Sequence, residues 1–359
     1  MTYEIQFCLD LTHHSWARAA DPVAAVDATL RAIRVADAAG LDSVWLSEDP
    51  DGWDAVAVLA AAARETERIR LGTGVTNPYL RHPNLIAMSV ATVDRLSGGR
   101  AFLGLGRGQA EWYSRALGVR TGRPPEVLAE TIDLLRQWWR PPGRASSTGH
   151  FHVRDWARAI GPVQSHVPIY LAALGPRALR VAAERADGLL VADFASVPYL
   201  RRLIPTVRSW VAEAGRDPDS FRFYVRTGIV VTDDPEPVLE RRKNQMALVN
   251  ALPGMTRQIE VPGFDVPAIM ARVREVMRTN EVLEAGGAFI DIRQVADFAA
   301  ARRLIPTELV AAVSLVGPAA EIRARLRELA EIGVNGVFIA PPGERDAAEY
   351  AALIRDITP

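Results

Sequence analysis

One pattern recurs along this chain: a helical stretch stops at a short turn and runs directly into a brief, wholly apolar strand. Ala39-Gly40-Leu41-Asp42-Ser43-Val44-Trp45-Leu46 and Ile332-Gly333-Val334-Asn335-Gly336-Val337-Phe338-Ile339 carry it at opposite ends of the chain, and Ala186-Asp187-Gly188-Leu189-Leu190-Val191 is a weaker copy. Strands that are apolar at successive positions, not at alternate ones, are buried on both faces, as in a parallel sheet covered by helices. A closed barrel and an open doubly wound sheet share this signature, so the pattern sets the fold class and leaves the topology to other features.

Periodicity predicts strands over 3–9, 43–46, 70–75, 100–105, 169–172, 188–191, 221–231 and 336–340. Helices are expected over 23–39, 54–67, 83–96, 125–139, 176–184, 197–213 and 318–332. Two segments interrupt the rhythm. Residues 140–166 are rich in Gly, Ser and Pro and read as an inserted hairpin around 148–153. Residues 232–312 are too long for a loop and read as a helical insertion, with helices near 237–252 and 267–283, placed to form part of a substrate cover. At 359 residues the chain fits one α/β barrel with insertions, so a single domain over 1–359 is expected.

Composition narrows the partners. The net charge is −1 and Lys243 is the only lysine, so no field gathers nucleic acid or an anionic membrane, and a small-molecule substrate is favoured. A lone cysteine, Cys8, excludes an intrachain disulfide and fits a reducing cytoplasm. No apolar run approaches the roughly 20 residues that a bilayer span needs. His150 and His152 form an HxH pair in the inserted hairpin with no carboxylate partners nearby in sequence, so no metal site is expected. Gly104-Leu105-Gly106-Arg107-Gly108 approaches a dinucleotide fingerprint, but Gln109 stands where its third glycine belongs.

Three stretches resemble a known family. Leu71-Gly72-Thr73-Gly74-Val75-Thr76-Asn77-Pro78-Tyr79-Leu80-Arg81-His82-Pro83, then Leu96-Ser97-Gly98-Gly99-Arg100-Ala101-Phe102-Leu103-Gly104-Leu105-Gly106-Arg107-Gly108, then Pro168-Ile169-Tyr170-Leu171-Ala172-Ala173-Leu174-Gly175-Pro176-Arg177-Ala178-Leu179 followed by Ala186-Asp187-Gly188 are similar to strand 3, strand 4 and strands 5 and 6 of coenzyme F420-dependent methylenetetrahydromethanopterin reductases and their relatives in the luciferase-like superfamily. The similarity covers residues 3–232 and resumes near Leu315. It implies a (β/α)8 TIM barrel that passes a hydride between a flavin-type ring and a small organic substrate. In such barrels functional groups come from the C-terminal ends of several strands, so residues 10–14, 48–53, 76–82, 106–111 and 172–177 should ring one mouth.

The resemblance also implies roles. Gly74-Val75 falls where the family has a non-proline cis peptide in a bulge that, with Thr76 and Asn77, backs the central ring of the cofactor. Gly106, Arg107 and Gly108 let the backbone approach the cofactor edge, Arg107 being suited to an anion. Ala172, Ala173, Leu174, Gly175, Pro176 and Arg177 end a strand and open a helix whose free N–H groups suit a cofactor phosphate, with Pro176 at the first helical position. Glu48 is the first candidate for a cofactor contact, and Glu48, Asp49, His13, His14, Glu111 and Tyr113 are candidate proton donors. Of these, His14 and Tyr113, with Trp53 and Trp112, are also placed on the substrate side.

Asp49 follows Glu48 where many F420-dependent relatives have a histidine after the acid, and Gln109 stands where the sugar-phosphate-oxidising subgroup has a glutamate. Both departures argue against oxidation of glucose 6-phosphate and for a reductase that uses reduced F420 on a C=C, C=N or similar centre. An FMN-dependent luciferase-like monooxygenase and a catalytically silent ligand-binding barrel are the alternatives, the Thr76-Asn77-Pro78 pattern favouring the deazaflavin. Small residues on the second and third helices (Ala55, Ala57, Ala60, Ala61, Ala62, Ala63; Ala87, Ser89, Ala91) suit close helix approach, and a homodimer through these helices is expected.

Overall fold

The computed structural model describes residues 4–359. Eight parallel strands close on themselves: β1 (Gln6–Leu11), β2 (Ser43–Leu46), β3 (Arg70–Thr73), β4 (Ala101–Leu105), β5 (Ile169–Ala172), β6 (Gly188–Val191), β7 (Arg222–Val231) and β8 (Gly336–Ile339). Each pairs with its sequence neighbour, and β8 returns to β1 with Gln6 opposite Gly336 and Leu9 opposite Ile339. The open-sheet alternative is thereby excluded, and the fold is the TIM barrel that the three stretches imply. Tyr3, the first residue of the first expected strand, lies outside the described residues; the strand begins at Gln6 and extends to Leu11.

Local chemistry explains the outer helices. Asp21 accepts from the backbone N–H groups of Val23 and Ala24 at the start of helix Pro22–Ala38, and Asp54 accepts from Ala57 at the start of helix Ala55–Glu65. Their apolar stripes, among them Ile33 and Ala36, Leu59 and Ala62, sit in the main core between helices and sheet. Inside the barrel a second layer of Cys8, Trp45, Phe102, Tyr170, Leu190, Tyr224 and Phe338 plugs the cylinder, the Trp45 ring lying 4.5 Å from Phe102 and 5.2 Å from Tyr224. Gly72 in β3 makes room for this layer: a Cβ there would lie 2.3 Å from the Phe102 ring.

Several expectations need correction. The 140–166 segment pairs Arg144–Ala145 with Trp156–Ala157, so the fragment at 148–153 is the loop of that hairpin and not its strands. Helix Ala110–Leu117 after β4 and helix Ala347–Ile357 at the C-terminal end were not anticipated. In the 232–312 segment the expected helices appear as Glu236–Val249, Val266–Val276 and Thr279–Glu284, and three more follow: Phe289–Val295, Phe298–Leu304 and Thr307–Ala312. These pack around their own core of Met246, Ile259, Met270, Val273, Ile292 and Leu309, into which Phe194 from the loop after β6 inserts. Among the described residues no helix is long and apolar enough to cross a membrane.

Candidate active site

The C-terminal mouth of the barrel is floored by the end of β3. The Gly74–Val75 peptide is cis. Gly74 donates its N–H to the Leu46 carbonyl at 2.6 Å, and its own carbonyl accepts from the Arg226 guanidinium. Beyond the bulge, Thr76 donates to the Gly104 carbonyl at 3.0 Å and accepts from Gly106 at 2.9 Å, which ties the bulge to β4. Val75 and Ala172 cap the aromatic plug, and both face Gly106: a Cβ on Gly106 would lie 2.7 Å from Val75 Cγ2 and 3.5 Å from Ala172 Cβ. Three strands thus meet at a small apolar floor that only a glycine at 106 leaves clear.

Charged groups stand beside this floor. Asp10, near the end of β1, places Oδ2 3.3 Å from the Arg226 guanidinium, while its Oδ1 is buried with no hydrogen-bond partner. Burial pushes the Asp10 carboxyl above the ordinary carboxylate range, against the pull of Arg226 and with the aid of the nearby Asp193 and Asp49 charges. Asp193, just after β6, is paired at 2.8 Å with Arg242 of helix Glu236–Val249, whose guanidinium lies over the Phe194 ring at 4.4 Å. Arg226, Asp193 and Arg242 are absent from the sequence-based candidates, and Asp10 was placed at the mouth without a role. A charge in the middle of the apolar β7 run was the available signal for Arg226, since a buried charge in a strand needs a partner.

The expected residues fall into distinct environments. Glu48 has both carboxylate oxygens occupied, one accepting from the Thr76 hydroxyl and the other from Arg81 Nε at 2.6 Å; Arg81 also reaches Asp54 at 2.7 Å. Glu48 therefore braces the bulge, and its geometry does not leave it free to hand on a proton. Asn77 is a turn residue, its side-chain oxygen accepting from the N–H groups of Tyr79 and Leu80 at 3.1 and 3.0 Å. His13 is buried with Nδ1 3.3 Å from Asp49, not aligned for a hydrogen bond, and its ring fits only because residue 52 is a glycine, where a Cβ would lie 2.4 Å from His13 Cγ. The His14 ring lies 4.5 Å from His13, tilted by 47°; partial burial, then the charges of His13, Arg293 and Arg18, hold its imidazole below the usual value.

Trp53 does not wall the mouth: it is 7% exposed, donates its indole N–H to the Ser47 carbonyl at 2.7 Å and meets Trp16 edge-on at 4.7 Å. Arg107 and Glu111, four residues apart, pair with each other at the exposed rim, so Glu111 is not a buried acid. Tyr113 is buried under Gly108, whose φ of +54° and contact with the phenol exclude a side chain; burial pushes its hydroxyl up. Trp112 and Tyr113 line a hollow of about 100 Å³ with Pro50 and Asp51, on the outer side of the mouth. Ala173 and Leu174 are half-buried, while Gly175, Pro176 and Arg177 are exposed, and the helix that Pro176 opens has no side-chain cap on its first N–H groups.

A larger cleft of about 750 Å³ lies elsewhere, between helix Pro124–Trp139 and the hairpin loop. Its most engaged acid, Glu130, is committed to the Ser147 hydroxyl and to the N–H groups of His150 and Phe151, so it holds the hairpin in place.

The floor and the open helix start suit a planar ring with a phosphate-bearing tail: Gly106 leaves clear the surface a ring needs, a Cβ on Gly175 would meet nothing within 4 Å, and Asp10, with one buried and unpartnered oxygen, pairs with the Arg226 that holds the Gly74 carbonyl. The chain is 27% identical over 329 residues to a 5,10-methylenetetrahydromethanopterin reductase of Archaeoglobus fulgidus, covering 91% of this chain and 93% of that protein. An F420-dependent glucose-6-phosphate dehydrogenase of Nocardia farcinica is 32% identical over 225 residues, 58% of this chain and 66% of its own. In fold, the coenzyme F420 dependent tetrahydromethanopterin reductase of Methanopyrus kandleri superposes with a TM-score of 0.71 at 24% identity, covering 98% of this chain and 97% of that one. Residues 5–336 match the family model described as luciferase-like monooxygenase, and the chain belongs to that family.

Proposed function

We propose that this protein is an F420-dependent oxidoreductase that exchanges a hydride with a small organic substrate, working as a reductase on a C=C, C=N or similar centre. The observation that carries the proposal is the small apolar floor of Val75, Gly106 and Ala172, with Arg226 behind it and the free oxygen of Asp10 beside it. The F420 dependence in the names of its relatives supports the choice of cofactor. Val75, Thr76 and the Gly106–Arg107–Gly108 backbone would hold the ring, and the N–H groups at the start of helix Pro176–Arg185 would hold the phosphate. When bound, the deazaflavin supplies or accepts the hydride; orientation, water exclusion and proton placement fall to the protein.

Asp10 is the group we assign to the proton. Burial favours its protonated form, its free Oδ1 has no competing partner, and Arg226 fixes the other oxygen, so the carboxyl is oriented before substrate arrives. Arg226 also accounts for the Gly74 carbonyl, which couples the orientation of the acid to that of the floor. Glu48 with Arg81 and Thr76 keeps the bulge rigid, while His13, His14 and Asp49 border the substrate side. The buried small residues of helices Ala55–Glu65 and Pro83–Ser97 already face their own barrel, and the remaining small residues on these helices form the surface we assign to a homodimer.

The test is a fluorescence-quenching titration of the purified protein with F420 and with FMN, followed by reduced F420 with a panel of electron-poor alkenes and imines, scored by return of the oxidised deazaflavin absorbance. Micromolar F420 binding with turnover of one panel member is the expected result. Binding of FMN alone would transfer the protein to the monooxygenase reading, and binding of neither would make it a silent barrel.

A further inference from the structure

Besides the bonds from Arg325 of helix Ala319–Glu331 to the Ala311 and Ala312 carbonyls, where the insertion returns to the barrel, the helical insertion meets the loops of the mouth along two unequal seams. On the β6 side the seam is dense: Asp193 pairs with Arg242, Gln258 donates to the Asp193 carbonyl at 2.9 Å, Ser196 donates its N–H to the Gln258 carbonyl at 2.7 Å and its hydroxyl to the Glu260 carbonyl at 2.8 Å, and Phe194 is buried in the insertion core. On the β4 side it is thin. Gln109 Oε1 accepts the backbone N–H of Phe289 at 3.1 Å, and Arg115 pairs with Asp291 at 2.6 Å with both partners a third or more exposed.

The Gln109 bond has a definite task. Helix Phe289–Val295 begins at Ala288, whose side chain has no oxygen with which to satisfy the first N–H groups. Gln109 supplies an acceptor from across the mouth for the Phe289 N–H, so the first turn of the helix is capped jointly by the barrel and by its own Asp291. Within the helix, Asp291 folds back to the Ala288 N–H at 2.7 Å and uses the same oxygen to meet Arg115. Just upstream, Gly286 at φ +75° and then Gly287 form the joint that leads into this segment. Gln109 is also the residue directly after Gly108, in the loop assigned above to the cofactor edge.

We infer that Gln109 is a positioning residue that docks the insertion over the mouth by capping helix Phe289–Val295, with Arg115 as its partner, and that the mouth opens along this seam while the β6 seam stays closed. The inference goes beyond the proposed function and its main test needs no cofactor. A merely structural polar residue at 109 would tolerate any change that keeps the fold, whereas a capping acceptor is lost in a methionine of equal shape and kept in a glutamate.

Amide hydrogen exchange on the ligand-free protein reads this directly. The expected result is that Gln109→Met raises exchange in peptides covering 286–293 by roughly 3- to 10-fold, the equivalent of one neutral hydrogen bond. Gln109→Glu should keep the parental rate, and peptides covering 194–200 and 256–262 should not change in either variant. Should Gln109→Met fail to fold, Arg115→Met on the exposed half of the seam is expected to act in the same direction. Unchanged exchange at 286–293 in both methionine variants, or an equal rise at both seams, would overturn the inference. A second arm adds whichever of F420 or FMN the titration shows to bind: protection at 286–293 should increase in the parent and not in Gln109→Met. If neither binds, the functional proposal falls and the docking role is still decided by the first arm.

Discussion

The two ends of the barrel hold the same ingredients, an arginine and a carboxylate beside the aromatic plug, and use them differently. At the N-terminal end Arg70 is surrounded: it meets Asp42 at 2.5 Å, the Tyr224 hydroxyl at 2.8 Å and the Tyr170 hydroxyl at 3.2 Å, and Tyr224 donates onward to Gln6 at 3.0 Å. At the C-terminal end Arg226 takes Asp10 and the Gly74 carbonyl, and Asp10 keeps one oxygen without a partner. A closed network below and an open one above follow the division of labour in such barrels, where the lower face serves stability and the upper face chemistry. A buried polar atom left unsatisfied costs stability, and the orphaned Asp10 oxygen is one reason we propose the upper face as the site.

The largest effect that would test this contrast is on turnover. Asp10→Asn should lower the rate with reduced F420 by about 10²- to 10⁴-fold while leaving the F420 titration nearly unchanged; full activity in this variant would remove Asp10 from the mechanism. Its stability should move the opposite way. Because the folded-state carboxyl titrates above its unfolded value, ionisation costs the folded protein free energy once the pH exceeds the unfolded value of about 4, and that cost is absent below it. Asp10→Asn should therefore melt higher than the parent at neutral pH, with the gain vanishing as the pH falls below about 4; a loss of stability at neutral pH would mean that the Arg226 pair outweighs burial.

At the lower end the signs reverse. Arg70→Met leaves Asp42 and two tyrosine hydroxyls without their partner, and urea unfolding should show a loss of about 3 kcal/mol with little change in cofactor affinity. A smaller effect is expected at the floor, where Gly106→Ala drives a methyl against Val75; F420 should bind about tenfold more weakly, near 1.4 kcal/mol, with the melting temperature almost unmoved. The smallest concerns the rim: Arg107→Ala breaks an exposed pair with Glu111, and chemical denaturation should shift by less than about 0.5 kcal/mol.

Different parts of the site were legible to different degrees. The floor was readable because its residues are consecutive: Gly74, Val75 and Thr76 form one motif, and the cis peptide lies where that motif implies it. The charges around it were not, because the partners come from distant strands. Arg226 reaches Gly74 across 152 positions and Gln109 reaches Phe289 across 180, and no local pattern encodes such pairings. Trp53 shows the opposite error: an aromatic residue next to a strand end looks like a wall of the mouth, yet the Ser47 carbonyl and Trp16 draw it into the rim. Glu48 looked like a free acid until Arg81, 33 residues later, occupied one of its oxygens.

The order of short apolar strands and capped helices, and the glycines at 74 and 106, follow from the chain alone, since hydrophobic period, turn chemistry and steric bulk act over a few neighbouring residues. Which strand face points into the cylinder, which charges meet there and which one keeps a free oxygen were decided only when eight strands closed. Closure brings residues from remote positions to within hydrogen-bond distance, and burial then raises the pKa of the Asp10 carboxyl against the pull of Arg226.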